Sequence, residues 1–368
     1  MNDRANVNHL VDELEWDGAL RTGAARAREV AFDADEAAHL SGAARSRERL
    51  LEGLRRDMGP FCLGALKDND VKEILLNSDG RVWVDTYSDG WVHSGETMSV
   101  SQSTKLMMTV ASLLNTVVTV QRPILQGEFP LDESRFQGNM PPIVTAPSFN
   151  IRKKPLRVYT LQEYVDSGIL SPSHAAMIRA SIRMKKNILV VGGTASGKTT
   201  FLNACIAEMV ALCPKDRIIC AEDTREVICT AANKEMLRST LDISMNDLLK
   251  SALRMTPDRI LCGEVRDKEA YALLEMWNTG HDGGLATVHG TTAARGLGRI
   301  QRLAYGGLQH GAGGEFIPQV VAEAIHVVVF IKKVDESICP AKRRVTEVLR
   351  IDGFDPQTQQ YLTSPVKG

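Results

Sequence analysis

What is missing from this 368-residue chain narrows its class before any motif is read. No two of its seven cysteines form a C-x-x-C pair, and their number is odd. Several lie inside apolar runs such as Ile218-Ile219-Cys220 and Ile260-Leu261-Cys262. They read as small buried hydrophobes in a reducing compartment, not as disulfide staples or zinc ligands. No excess of either charge sign exists: 44 Lys+Arg face 45 Asp+Glu, so the basic footprint of a dedicated nucleic-acid binder is absent. Basic residues are not interleaved with aromatics, which make up 5% of the chain, and direct DNA binding is therefore not expected. The first residues, Met-Asn-Asp-Arg, begin no apolar h-region, so no signal peptide is expected. The longest greasy stretch, Leu106 to Val120, is broken by Thr109, Ser112, Asn115, Thr116 and Thr119. It falls short of the ~20 apolar residues that span a bilayer. The chain is expected to be cytoplasmic. Internal repeats and low-complexity tracts are also lacking.

With 43% hydrophobic and 24% charged residues, the composition is that of a globular protein able to bury real cores. At ~150 residues per domain the length allows two or three domains. Residues 1–46 are rich in Ala, Arg and acids without sustained periodicity, and read as a helical or disordered extension. A first α/β domain is expected over 47–150. It opens with a helix carrying Leu50, Leu51 and Leu54, with Gly59 as its C-cap. A hairpin follows, Lys72–Asn77 to Arg81–Asp85, joined by Asn77-Ser-Asp-Gly80. Leu106, Val110, Leu113, Leu114 and Val117 mark the buried face of a second helix. Pro141, Pro142, Pro147 and Pro155 mark a linker, part of which, Ser148 to Arg152, reads as a last strand.

The second domain, 151–368, begins with a capping box at Thr160-Leu-Gln-Glu163 and an N-cap with Pro at N1 at Ser171-Pro172. Strands at 188–191, 217–221, 259–262 and 285–288 then alternate with helices at 199–210, 245–255 and 268–277. Such alternation predicts a mainly parallel sheet covered on both faces, with a late antiparallel addition near 344–351 and 360–362.

The pattern G-x-x-x-x-G-K-[ST] is met by Gly192, Gly193, Thr194, Ala195, Ser196, Gly197, Lys198 and Thr199, followed by Thr200. An apolar strand precedes it and a helix follows, the context in which backbone N–H groups cradle a phosphate chain. A nucleoside triphosphate is expected here, with Lys198 on the β/γ oxygens and Thr199 offering its hydroxyl to Mg²⁺. Turnover also needs carboxylates. Glu222, in Ala221-Glu222-Asp223-Thr224-Arg225-Glu226, and Glu264, in Gly263-Glu264-Val265-Arg266, each follow an apolar strand. In a parallel sheet both stand on the ligand edge. One carboxylate can serve Mg²⁺ and the other orient the attacking water. His289 closes a further short strand on that edge, where it could sense the γ-phosphate, while His281 makes a weaker candidate. No Cys or carboxylate cluster completes a zinc site around them.

These residues together resemble the hexameric secretion ATPases that power type IV secretion, conjugation and pilus dynamics. Four of that family's signatures are matched in order. They are the phosphate loop Gly192–Thr199, an "Asp box" at Glu222–Glu226, a second acidic box at Gly263–Asp267, and a "His box" at Gly280–His289. The likeness runs from about Arg47 to Tyr361 and is strongest to the conjugative-transfer branch. It implies a RecA-like domain preceded by a smaller N-terminal domain, whose arginines, here matched by Arg135 and Arg152, reach the phosphates. Arginine suits that task because its planar fork pairs bidentately with phosphate. The resemblance implies an ATP hydrolase that is a homo-oligomer, a hexamer, with inner-membrane secretion proteins as partners and peripheral contact with that membrane. Glu222 is expected to position the water and Glu264 to serve Mg²⁺, roles that could be exchanged, and His289 to relay the γ-phosphate state. A pilus extension or retraction motor and a nucleotide-regulated scaffold are the alternative readings. The chain departs from the family at Ala195, where Gly is usual, so that loop position must tolerate a Cβ. It also lacks the tetracysteine insert of the type II branch.

Overall fold

The structure is a computed structural model that describes residues 23–154, 157–240, 242–308 and 314–368. It is an α/β fold in two compact units. One holds the residues up to 132 together with 137–150, the other 133–136 together with 151–368. The first 22 residues of the expected extension lie outside the described residues.

In the first unit the long helix α1, Gly23–Lys67, is interrupted at Gly59, whose φ of +73° only glycine adopts without strain. The expected C-cap is therefore a break, because Pro60 restarts the helix at a position that needs no N–H partner. Leu54, Met58, Cys62 and Ala65 recur at helical spacing on one face and are buried. Strands β1 (Val71–Leu76), β2 (Arg81–Thr86) and β3 (Gly90–Thr97) follow as antiparallel neighbours. Then come α2 (Val100–Leu113), β4 (Ile124–Glu128), β5 (Arg135–Asn139) and β6 (Ser148–Arg152), of which residues 135–136 and 151–152 count with the second unit. The six-stranded sheet runs in the order β3-β2-β1-β6-β5-β4, so the Pro-rich stretch read as a linker ends in a strand that lies inside the sheet. Leu106, Val110 and Leu113 are buried as expected. The second helix ends before Val117, which is 67% exposed, because Asn115 turns the chain to a φ of +52°.

The second unit is built on an eight-stranded sheet. Its elements are α3 (Leu161–Asp166), α4 (Pro172–Arg183), β7 (Ile188–Gly192), α5 (Lys198–Leu212), β8 (Ile218–Glu222), β9 (Lys234–Arg238) and α6 (Met245–Ala252). These are followed by β10 (Arg259–Cys262), α7 (Glu269–Asn278), β11 (Leu285–His289), α8 (Ala293–Gly306), α9 (Ile317–Ala324), β12 (Val327–Lys333), β13 (Arg343–Asp355) and β14 (Gln360–Pro365). Both expected caps form: Thr160 and Glu163 close a capping box, and Ser171 accepts from His174 N ahead of Pro172. The strand order is β14-β13-β12-β7-β11-β10-β8-β9. From β12 to β9 neighbours are parallel, and β13 and β14 add the antiparallel extension. Alternate side chains of β7 serve two cores. Leu189 and Val191 join the core beneath α6 to α9, and Ile188 and Val190 join the one beneath α3 to α5. That double burial is why the strand reads as an unbroken apolar run.

Among the described residues no helix is long and apolar enough to cross a membrane. All seven cysteines are free thiols, and only Cys213 is not fully buried.

Candidate active site

Every strand of the parallel set ends on the same edge, and the chemistry-bearing residues gather there. β7 delivers the chain to Gly192, where a Cβ would stand 2.4 Å from Ser196 Oγ and 2.5 Å from the Ile331 carbonyl. No larger residue fits that corner. The loop then turns through Ala195, at φ +54°, and Gly197, at φ +95°, before α5 starts at Lys198. Ala195 thus adopts, at some conformational cost, the left-handed backbone that glycine takes freely. Thr194 and Ala195 are exposed, Gly193, Thr199 and Thr200 half-buried, and Ser196 is buried with its hydroxyl unpartnered.

Lys198 folds back over this loop. Its Nζ donates to Gly193 O at 3.0 Å and lies 3.4 Å from His289 Nδ1. Burial, reinforced by the nearby Arg152 charge and opposed by Glu264 and Glu226, holds its ammonium below the ordinary value. Because lysine only donates, His289 Nδ1 must accept, which leaves its Nε2–H facing Glu264 Oε1 at 2.8 Å. Burial and the Lys198 charge hold the imidazole below its usual range, so it is neutral near pH 7.

The acids divide into two arrangements. Glu264 is tied by its Oε2 to Arg266 Nη2 at 2.6 Å and Nε at 2.9 Å, and Arg266 in turn pairs with Asp223. Although burial pushes the Glu264 carboxyl up, Arg266, His289 and Lys198 outweigh it and keep it ionised. Glu222 is 3% exposed, and one oxygen accepts from the backbone N–H groups of Glu226 at 3.0 Å and Val227 at 2.9 Å. Desolvation dominates there and lifts its pKa to about 7.

The structure gives Glu226 a place that the sequence reading left undistinguished within its box. Its Oε2 accepts from Thr199 Oγ1 at 3.2 Å, and its Oε1 lies 4.0 Å from Arg135 Nη1. The only sequence signal is Asn203, a polar residue inside the apolar run Phe201–Ile206 of α5, which the structure buries. Its Oδ1 accepts from Ile228 N and its Nδ2 donates to Glu226 O, which fixes the loop that carries the acid. The Thr199 hydroxyl and the Glu226 carboxylate beside it make a sparse donor set. Among the described residues no group of three or more His, Cys, Asp or Glu could enclose a metal. That set fits Mg²⁺, which keeps several waters and takes phosphate oxygens for the rest, and fits Zn²⁺ poorly. His281 does not join the site. It precedes β11 by four residues, whereas His289 ends that strand, so the two stand at opposite edges of the sheet.

Comparison with known proteins bears on this geometry. Residues 66–363 match the family described as type II/IV secretion system protein. The chain belongs to that family. Its curated relatives include a probable conjugal transfer protein TrbB of Sinorhizobium fredii (strain NBRC 101917 / NGR234), 40% identical over 310 residues that span 84% of this chain and 92% of the relative. Another is the conjugal transfer protein TrbB of Rhizobium radiobacter, 39% identical over 86% of this chain and 96% of the relative. In fold, the chain is similar to the X-ray structure of the Legionella pneumophila ATPase DotB, at a TM-score of 0.58 and 18% identity. That likeness covers 80% of this chain and 83% of the other. The family's match spans all four boxes, from the phosphate loop at 192–199 to His289.

Proposed function

We propose that this protein is an ATP hydrolase that powers a conjugative type IV secretion system, built as a RecA-like P-loop domain over 151–368 behind a smaller α/β domain over 47–150. The observation that carries the reading is Lys198. It is a buried cation at a strand-loop-helix corner, held by a carbonyl and an imidazole and, among the described residues, paired with no carboxylate at hydrogen-bond distance. Membership in the secretion family, with conjugal transfer proteins among the near relatives, supports the assignment.

In this reading the loop from Gly192 to Thr200 wraps the phosphates, and Lys198 leaves Gly193 O to neutralise the β/γ oxygens. Mg²⁺, when bound, neutralises phosphate charge. Thr199 and Glu264 are its proposed protein contacts, and Glu226 joins them because it already accepts from the Thr199 hydroxyl. Glu222 positions the attacking water. Its pKa near 7 suits a group that must accept a proton at neutral pH. His289, between Lys198 and Glu264, changes partner when Lys198 moves and so reports the γ-phosphate state. Arg135 and Arg152 supply further positive charge to the phosphates. The reading extends to a hexameric, cytoplasmic ring that meets inner-membrane secretion proteins and the membrane surface peripherally and does not bind DNA directly.

Steady-state ATP turnover tests it. Lys198→Ala is expected to lower kcat/KM by roughly 10²–10³, the scale set by removing one charge-stabilising group. Turnover equal to that of the wild type would place the chemistry elsewhere.

A further inference from the structure

β7 divides the ligand edge of the sheet into two flanks. On one side β11 and β8 end in His289 and Glu222, and Glu264 follows the end of β10 by two residues, the groups suited to a metal, a water and a γ-phosphate. On the other side stand β12 and β13. Ile331 of β12 pairs with Gly192, and Lys333 two residues later pairs with Arg343, the first residue of β13. The register therefore brings Arg343 to the phosphate loop from the flank opposite the acids.

Three observations set this arginine apart. Its stem lies against the loop: a Cβ on Gly197 would stand 3.3 Å from Arg343 Cδ and 3.5 Å from its Nε. The φ of +95° at Gly197 calls for glycine, and the arginine stem packs directly over it. Arg343 Nε is buried with no hydrogen-bond partner. Among the described residues no carboxylate pairs with it, whereas Arg266 has Glu264 and Asp223, Arg259 has Asp216, and Arg135 has Glu226. A partly enclosed guanidinium without a counter-charge is costly, and proteins keep such a group where an anion arrives from outside. Tyr164, buried on α3, is close enough to feel its charge.

We propose that Arg343 binds the α-phosphate of the nucleotide, holding its nucleoside end on the flank of the loop away from the acids. This rests on the phosphate-loop reading above. A planar fork suits a phosphate, and an anion there would supply the charge and acceptors the side chain lacks. The β- and γ-phosphates remain with Lys198 and the loop amides.

Calorimetric titration of wild type, Arg343→Ala and Arg343→Lys with Mg·ADP, and separately with magnesium pyrophosphate, tests the assignment. Pyrophosphate has no α-phosphate and reports on the loop and Lys198 alone. In Arg343→Ala the Kd for ADP is expected to rise about tenfold, which is about 1.4 kcal/mol, with partial recovery in Arg343→Lys. The Kd for pyrophosphate is expected to stay within about twofold, and the KM for ATP to rise by more than kcat falls. An unchanged ADP affinity overturns the proposal. So does a parallel loss of pyrophosphate and ADP in both variants, which would mark damage to the loop. Should the wild type bind neither ligand, the phosphate-loop reading itself fails, and an ADP signal lost in Lys198→Ala guards against that confusion.

Discussion

Glu222 carries the clearest consequence of burial on a single side chain. A carboxyl whose pKa is 4.5 when unfolded and about 7 when folded holds a proton that unfolding releases between those values. The folded state binds more protons there, so its contribution to stability is present below pH 4.5 and is lost as pH rises through 7. At ~1.4 kcal/mol for every tenfold change in proton affinity, the effect is roughly 3 kcal/mol. Glu222→Gln keeps an acceptor for the Glu226 and Val227 amides but cannot ionise. Urea unfolding at pH 5 and pH 8 is expected to show this slope in the wild type and a flatter one in the variant. The same variant is expected to bind ATP nearly as well as the wild type while losing turnover. Equal loss of both would remove Glu222 from the role of positioning water. Ala195 makes the opposite case, in which backbone rather than charge sets the cost. Ala195→Gly relieves a φ of +54° and is expected to raise stability by about 1 kcal/mol, read as a higher midpoint in urea.

At the scale of elements, the edge away from the ligand is held by buried polar groups. Arg259, fully buried at the start of β10, donates to Asp216 Oδ2 at 2.6 Å, to Gly283 O at 3.1 Å and to Ile182 O at 3.0 Å. One guanidinium thus pins β10 to the end of α4 and to the turn that leads into β11. Arg259→Ala leaves two carbonyls unpaired and Asp216 with only the Lys185 ammonium 3.9 Å away, and is expected to cost about 3 kcal/mol. Denaturant unfolding should register that loss. Asn187, just before β7 two strands over, does similar work, accepting from Gly284 N at 2.8 Å and donating to Ala324 O at 2.7 Å. Both residues lie far from the phosphate loop along the strands, so they set the register on which the site depends without taking part in its chemistry.

At the scale of the whole molecule, the ring is the proposal most open to test. The site supplies Lys198, the acids and His289 from one chain, and a hexamer would add neighbours. Turnover per subunit measured against protein concentration, with Lys198→Ala as the blank, is expected to climb as subunits assemble. A flat response from dilute to concentrated protein would mean that each chain works alone.

How much of this was legible beforehand follows from the range of the forces involved. The phosphate loop, its flanking strand and helix, the capping box at Thr160 and the N-cap at Ser171 were readable because each is set by near neighbours: a missing Cβ, a hydroxyl one turn from an amide, an unbroken apolar run. The hairpin at 71–86 was legible for the same reason. Stretches where local propensity and tertiary role diverge were not. α8 carries Gly296, a poor helix former, because a Cβ there would stand 2.3 Å from Val191 Cγ2. β9, Lys234-Glu-Met-Leu-Arg, is absent from the expected strands yet pairs along β8 as the outermost strand. The sequence by itself determined the glycine-rich corner between β7 and α5 and the edge of the parallel sheet on which Glu222 and His289 end, since those depend on loop chemistry and strand direction. Only the tertiary structure decided that Glu226 reaches Thr199, that Arg266 bridges Glu264 to Asp223, and that Arg343 arrives at Gly197 from the far flank. Strand order and side-chain burial arise from contacts between residues distant in the chain, and no local pattern encodes them.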